Sequence, residues 1–369
     1  MRLGLLLPTM QSVDVNRAAL SAAEQVGVDD ICDYEIRRTM TIETEREITP
    51  EDDSFRYHER PSDPFWNESG LFGFMIPERK IDGYFYVWHR PNMNLTSAGV
   101  ALWDDAGTES HNCLYSEWFH FNPMTPDTDM FDFELANGMG CKVIQPLKQY
   151  RLSYTSDTYS IDLLWTGAYK PPNLHYSSEH GFDIYGGVHY EQLGTVTGTI
   201  TLHGETIPVD CHHFRDHSRG LRPGPAHNLP GGGFDFAWAS DRTSFAVTSA
   251  RPDPKAPVTA RSIDKVSYGH MIKDGVLANV VGGTREVLDR ENDGRPRRVA
   301  LHLVDERGRE MHAESAVQNC LKWHSIWHMQ WCLASWVIDG ESGWGENQDW
   351  FDIDVIRAHQ RKALGAGCP

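Results

Sequence analysis

The chain has no apolar run approaching the roughly 20 residues that cross a bilayer as a helix, no C-x-x-C pair and no excess of positive charge. Each absence excludes a class. Its 34 Lys and Arg stand against 52 Asp and Glu, a formal net charge of −18. Such a field repels phosphate backbones and anionic lipid, which sets aside nucleic-acid binding and membrane docking through a basic patch. The one dense basic run, Arg295, Arg297 and Arg298, sits in a Gly/Pro/Asp turn and reads as a solvated hairpin tip. Seven scattered cysteines, an odd number, argue against a disulfide scaffold and a structural zinc site. Reduced thiols fit a cytoplasmic protein. Met1 to Met10 carries a single basic residue, Arg2, and no small-residue cleavage site, so it does not read as a secretory leader. The dinucleotide fingerprint is missing, since Gly231-Gly-Gly233 has the wrong spacing. The G-x-S-x-G elbow is missing too: Ser218 lacks the preceding glycine, so serine-hydrolase chemistry is not expected. No repeat of fixed period is visible.

What is present is a β texture. The 369 residues are enough for two domains, and 12 Trp, 13 Tyr and 15 Phe suit pleated surfaces and apolar ligand cavities. From about Asp53 onward short aromatic-rich runs are punctuated by Gly, Pro, Asn and Asp. Examples are Gly83–His89, Trp118–Phe121, Ser160–Trp165, Asp235–Trp238, Phe245–Ser249 and Val299–Val304. Thr195–Leu202 alternates small or hydroxyl residues with larger apolar ones. His203-Gly204-Glu205 turns the chain, and Thr206–Asp210 returns as the partner strand. One helix is expected between Trp350 and Ala366, with Arg357, Arg361 and Lys362 near its C-terminal end. Residues 1–30 open as strand then helix, like the first unit of a luciferase-like flavin monooxygenase barrel. No further βα alternation follows, so they read as an appendage. The expected division is an appendage over 1–45 and β domains over 46–180 and 181–369, with a connector at 170–186.

The densest ionisable cluster is Asp210-Cys-His-His-Phe-Arg-Asp-His-Ser-Arg-Gly220, where a solvated loop competes with a buried site, because buried charges need partners. Upstream, His189 and Glu191 project from one face of a strand and form a plausible acid–base pair. Strand alternation sends Arg215 and His217 to the face opposite Asp216. His212, His213, Asp216 and His217, with His120, also present a possible metal set, although their spacing matches no usual β-fold iron site.

Three stretches carry a family resemblance: His189-Tyr-Glu-Gln-x-Gly194 running to Arg215-Asp-His-Ser-x-Gly220; Asp63-Pro-x-Trp66-Asn-Glu68-Ser69 with Arg90-Pro91; and Gly340-Glu-x-Gly-Trp-Gly-Glu346. Over about residues 50–350 the chain resembles the AttH-like and hydroxyneurosporene synthase (carotenoid 1,2-hydratase) type proteins. That resemblance implies a mainly β protein of two lipocalin-like barrel or sandwich units around an apolar cavity. It implies a hydratase, lyase, isomerase or cyclase acting without cofactor or metal on a small apolar, isoprenoid-like substrate. Asp216 would be the proton donor, and His189 and Glu191 would handle water. His213, Arg219, Trp118 and Glu68 would be substrate contacts. Arg219 stands where the family usually has Trp, and would pair with Asp216 or a substrate carboxylate. A lipocalin-like carrier and a pericyclase remain open beside the hydratase.

Overall fold

The computed structural model describes residues 47–56, 60, 62–172, 187–222, 231–324 and 328–365. The strand and helix expected in residues 1–30, the whole 1–45 appendage and most of the 170–186 connector lie outside the described residues. Residues Thr44–Pro369 form one compact unit.

That unit is built on two antiparallel sheets. The first holds β1 (Trp66–Ile76), β2 (Ile81–Arg90), β3 (Leu95–Trp103), β4 (Tyr115–Pro123), β5 (Asp132–Glu134), β6 (Met139–Gln145), β7 (Gln149–Thr155), β8 (Tyr159–Gly167), β9 (Gly187–Leu202) and β10 (Glu205–Leu221). Their order is β4-β3-β2-β1-β10-β9-β8-β7-β6-β5, an open half-barrel. The second holds β11 (Gly232–Ser240), β12 (Thr243–Ala250), β13 (Ser262–Lys273), β14 (Val276–Arg290), β15 (Pro296–Asp305), β16 (Glu310–Val317), β17 (Leu321–His324), β18 (His328–Ile338) and β19 (Glu341–Phe351). Pairing of β16 with β18 closes it into an eight-stranded barrel, with β17 attached to β18. Closure removes the exposed edges that an open sheet would leave. The sheets therefore change between Leu221 and Gly232, not near residue 180: β9 and β10 lie beyond that point and belong to the first sheet.

The hairpin expected from Thr195 to Asp210 is β9–β10, with Leu202 opposite Glu205. Its turn residues His203 and Gly204 have φ of 49° and 86°, the left-handed pair that matches a two-residue hairpin to the twist of its strands. The expected helix is α1 (Ile353–Ala363), capped by the Asp352 carboxylate on the Asp354 and Val355 N–H groups.

Alternation decides what each face does. The barrel's inner face packs Phe245, Met271, Leu303, Met311 and Trp336 into one apolar cluster. Farther along, Arg285 is buried among Asp235, Asp264 and Asp349 at 2.6, 3.3 and 3.0 Å. The barrel's outer face lies against the first sheet. Phe234 and Phe236 contact Phe214, with ring centroids 4.7 and 5.2 Å apart. Trp331 meets Tyr84 at 4.8 Å, and Trp103 donates to Asn319 at 3.1 Å. The covered side of the first sheet and the outer barrel wall thus share a junction.

Candidate functional site

Strand β10 runs through the middle of the first sheet, and its odd and even residues serve different ends. On one face Arg215 is fully buried and donates to Asp53 Oδ1 at 3.0 Å and to Gln192 at 2.9 Å. Its guanidinium carbon lies 4.7 Å from the centre of the Tyr150 ring. Burial pushes the Asp53 carboxyl up, but Arg215 and the Tyr150 and Tyr190 hydroxyls overcome that and hold its pKa below the usual range. On the same face His217 lies 3.1 Å from the Tyr190 hydroxyl and 3.6 Å from Glu68. This is a buried ionic core, in which the Arg215–Asp53 pair is hydrogen-bonded and His217 Nε2 faces Glu68 Oε2.

The other face of β10 meets the barrel. One rung across the sheet reads Glu191, Asp216, Leu71, Tyr86, Gly99, Trp118. The next reads His189, Ser218, Ser69, Trp88, Ser97. Adjacent members of a rung sit about 4.8 Å apart, and rungs on one face about 7 Å apart. Three distant stretches of sequence are thereby brought onto one surface. Trp118 can lie across position 99 because that residue is glycine; a Cβ there would come within 2.5 Å of the Trp118 ring. Trp88 and Trp118 are 5.1 Å apart. From the barrel side Trp323 meets Trp88 at 5.7 Å and stacks on Trp331 at 5.8 Å. Tyr86, Trp88, Trp118 and Trp323 all keep part of their surface open, so the junction presents a partly open aromatic wall.

Asp216 lies at its polar end and is itself only partly covered. Desolvation pushes its pKa up to about 6, and Glu191 adds to the rise, against His189 and Arg222, which lower it. The Leu71 N–H donates to Asp216 at 3.1 Å. Beside it, His189 lies 2.7 Å from Ser218 Oγ through Nδ1 and 3.0 Å from Glu191 Oε1 through Nε2. Glu191 Oε2 accepts no hydrogen bond among the described residues. The barrel contributes Tyr268, 6.3 Å from the His189 ring, and His270, 2.5 Å from the Tyr169 hydroxyl. Burial drives His270 down to about 4, which leaves it neutral.

Of the residues expected from sequence, Asp216, His189, Glu191 and Trp118 come to this one face. Three others do not. Glu68 is fully buried on the opposite face, where it accepts from Trp66 Nε1 at 3.0 Å. Arg219 pairs with Asp52 at 3.2 Å rather than with Asp216, because alternation turns it toward the core. His213 is fully buried between Glu346 at 3.1 Å and Asp82 at 3.5 Å. Burial opposes its charged form, but the two carboxylates prevail and raise its pKa, while Asp82 is pushed up to about 7 by desolvation and by Glu346. The sequence does not single out Tyr86, Trp88, Trp323 or Trp331, and it sets Ser218 aside as a nucleophile for want of the glycine elbow. The alternation Tyr84-x-Tyr86-x-Trp88 was the available signal.

The metal set read from β10 does not converge. His212 stacks on Trp238 at 4.4 Å, His213 turns to Glu346, His217 turns to Glu68, and Asp216 faces the cleft. Two other groups offer ligand atoms within 4.8 Å of one another: buried Asp82, His213 and Glu346, and the more exposed His302, Glu310 and His312. A groove of about 860 Å³ along β15, β16, β18 and β19 of the barrel includes His312, Glu314, Trp336 and Trp344 but none of Asp216, His189 or Glu191.

The same fold occurs in a protein described as AttH from Nitrosomonas europaea. It shares 12% identity and a TM-score of 0.54, over 85% of this chain and 98% of that one. Kievitone hydratase from Nectria haematococca aligns at 11% identity and a TM-score of 0.48, over 85% and 95% of the two chains. No curated protein sequence matches the chain. At the level of sequence, residues 49–350 match one family over most of the chain's length, and the chain belongs to that family, described as "Domain of unknown function (DUF7064)".

Proposed function

We propose that the cleft between the two sheets is the active site of a cofactor-independent acid–base enzyme. It protonates a carbon–carbon double bond of a small apolar, isoprenoid-like substrate, then adds water or shifts the bond. The observation that carries this reading is the Asp216 carboxyl: raised to about 6, partly open and set at the end of an aromatic cleft. An acid in that range can give up and regain its proton near neutral pH.

Protonating an alkene creates a carbocation, and that is the costly step. Asp216 supplies the proton, and the aromatic rings of Tyr86, Trp88 and Trp323 stabilise the developing positive charge. Water then attacks and must lose a proton. His189 has both ring nitrogens engaged, so the acceptor left for that proton is the buried Glu191 Oε2, which has no hydrogen-bond partner among the described residues, with the imidazole steadying the same carboxylate through Oε1. A carrier of an apolar metabolite would account for the aromatic walls. It would not account for two carboxyl groups facing each other across β9 and β10 at considerable desolvation cost.

The test uses purified full-length protein, a panel of short isoprenoid alkenes and prenylated phenols, and heavy-oxygen water. The expected product carries one labelled oxygen, and a folded Asp216→Asn variant forms none. A product of unchanged mass that takes up solvent deuterium would indicate the isomerase. Binding without conversion, equal in wild type and Asp216→Asn, would leave only the carrier.

A further inference from the structure

The array around His189 has a second chemical meaning. Ser218 Oγ, His189 and Glu191 form an unbroken line: 2.7 Å from hydroxyl to Nδ1, then 3.0 Å from Nε2 to carboxylate. All three are buried, at 2%, 4% and 3% exposure. One protonation pattern satisfies both contacts, with Ser218 O–H donating to Nδ1 and Nε2–H donating to Glu191. That is the arrangement of an activated nucleophile: a hydroxyl on a base, and the base held and charge-compensated by a third group.

The geometry points to Ser218 as a nucleophile toward acyl esters, a hydrolase activity distinct from the alkene chemistry assigned to Asp216. The glycine elbow that sets such serines at a strand-to-helix turn is absent here. The β9–β10 register does the positioning instead, by placing Ser218 directly opposite His189. In the first step Oγ bonds to the ester carbonyl carbon, its proton passes to His189 Nδ1, and the carbonyl electrons move onto oxygen. The tetrahedral adduct then collapses. The C–O bond to the leaving alcohol breaks, and that oxygen takes the proton from Nδ1, leaving acyl-Ser218. Water repeats the sequence and releases the acid.

Ser218 lies within a paired strand, so its own N–H is unsuited to stabilise the oxyanion. A cation is nearby: Arg222 donates to Ser69 Oγ at 3.4 Å, and Ser69 is the rung partner of Ser218. Ser218 is itself buried, and Asp216 and Arg222 beside it are the partly exposed polar groups, so in this proposal the ester enters on their side. An ester with a short apolar acyl group suits the aromatic wall of the cleft.

A reporter-tagged fluorophosphonate tests this on the folded full-length chain, with peptide mass spectrometry locating the label. Label on Ser218 is expected, absent in Ser218→Ala and at least tenfold slower in Glu191→Gln and His189→Ala. The Gln variant keeps the volume of Glu and serves if His189→Ala does not fold. A burst of p-nitrophenol from p-nitrophenyl butyrate should follow the same order. Wild type that leaves Ser218 unlabelled, or labels as slowly as Glu191→Gln, overturns the proposal. The labelled-water assay is separate, so failure here leaves Asp216-dependent water addition standing or falling by itself.

Discussion

Arg215 and Asp216 are consecutive in β10 and stand on opposite faces of one sheet. The guanidinium is bonded to Asp53 in the core, and the carboxyl is held at the cleft among Glu191, His189 and Leu71. If the two shared a face, the arginine would pull the carboxyl pKa down and remove its use as a proton donor. Their separation by one residue keeps the structural charge of Arg215 apart from the carboxyl proposed as the proton donor.

Asp216→Asn should therefore stabilise the fold while abolishing turnover. The folded pKa of about 6 lies above the ordinary 3.8, so the folded state favours the protonated form. The ionised carboxylate weakens the fold fully above about pH 6 and not at all below about pH 4. At about 1.4 kcal/mol per pKa unit, the variant should gain roughly 2–3 kcal/mol near pH 7.5. That gain should vanish near pH 4. Urea unfolding at the two pH values measures it, and an equal difference at both would show that ionisation is not the cause.

The opposite sign is expected one residue earlier. Arg215→Met keeps much of the side-chain volume but strands Asp53, whose carboxylate is also held by Tyr150 and Tyr190. Breaking one side of a buried pair typically costs about 3–5 kcal/mol. The double variant Arg215→Met with Asp53→Asn should recover at least half of the loss, because no uncompensated charge remains. Unfolding midpoints of the four proteins form the cycle, and simple additivity would contradict the pairing.

The sequence made the local part of this arrangement legible. The β9–β10 hairpin follows from an alternating run, a glycine turn and a second alternating run, and alternation alone puts Arg215 and Asp216 on different faces. Nothing local says that β10 pairs with β1, nor that Asp53 reaches Arg215 and Glu346 reaches His213. Those partners are fixed by long-range register and by the need to neutralise each buried charge. For that reason Glu68, His213 and Arg219 read as contacts for a ligand when their partners are other side chains. The change of sheet after Leu221 was hidden for the same reason: the hairpin's strands look alike whichever sheet they join.

His213 ties β10 of the first sheet to β19 of the barrel, with Asp82 of β2 on its other side. His213→Ala leaves two carboxyl groups buried against each other without a cation. A loss of roughly 3–5 kcal/mol is expected. Glu346→Gln in the same background should restore part of it, since one of the opposed charges is gone. A loss below about 1 kcal/mol in urea unfolding would mean that the junction is held by its aromatic contacts and the Trp103–Asn319 hydrogen bond rather than by this ion pair.

Trp323 supplies the barrel's side of the junction, stacked on Trp331 and perpendicular to the Trp88 ring. It is only half-buried, so removing it should cost little stability but should strip one wall from an apolar ligand. Lost aromatic contact of this kind is worth about 1–2 kcal/mol, or roughly a tenfold rise in Kd. Nile red titration of Trp323→Ala against wild type measures the change. Phe121→Ala is the control, because Phe121 on edge strand β4 is 70% exposed and has no place in the cleft. Equal weakening by both variants would move the binding surface from the sheet junction to the open edge, whereas weakening by Trp323→Ala alone places the apolar ligand against Trp323 at the junction, beside the face of the first sheet that carries Asp216.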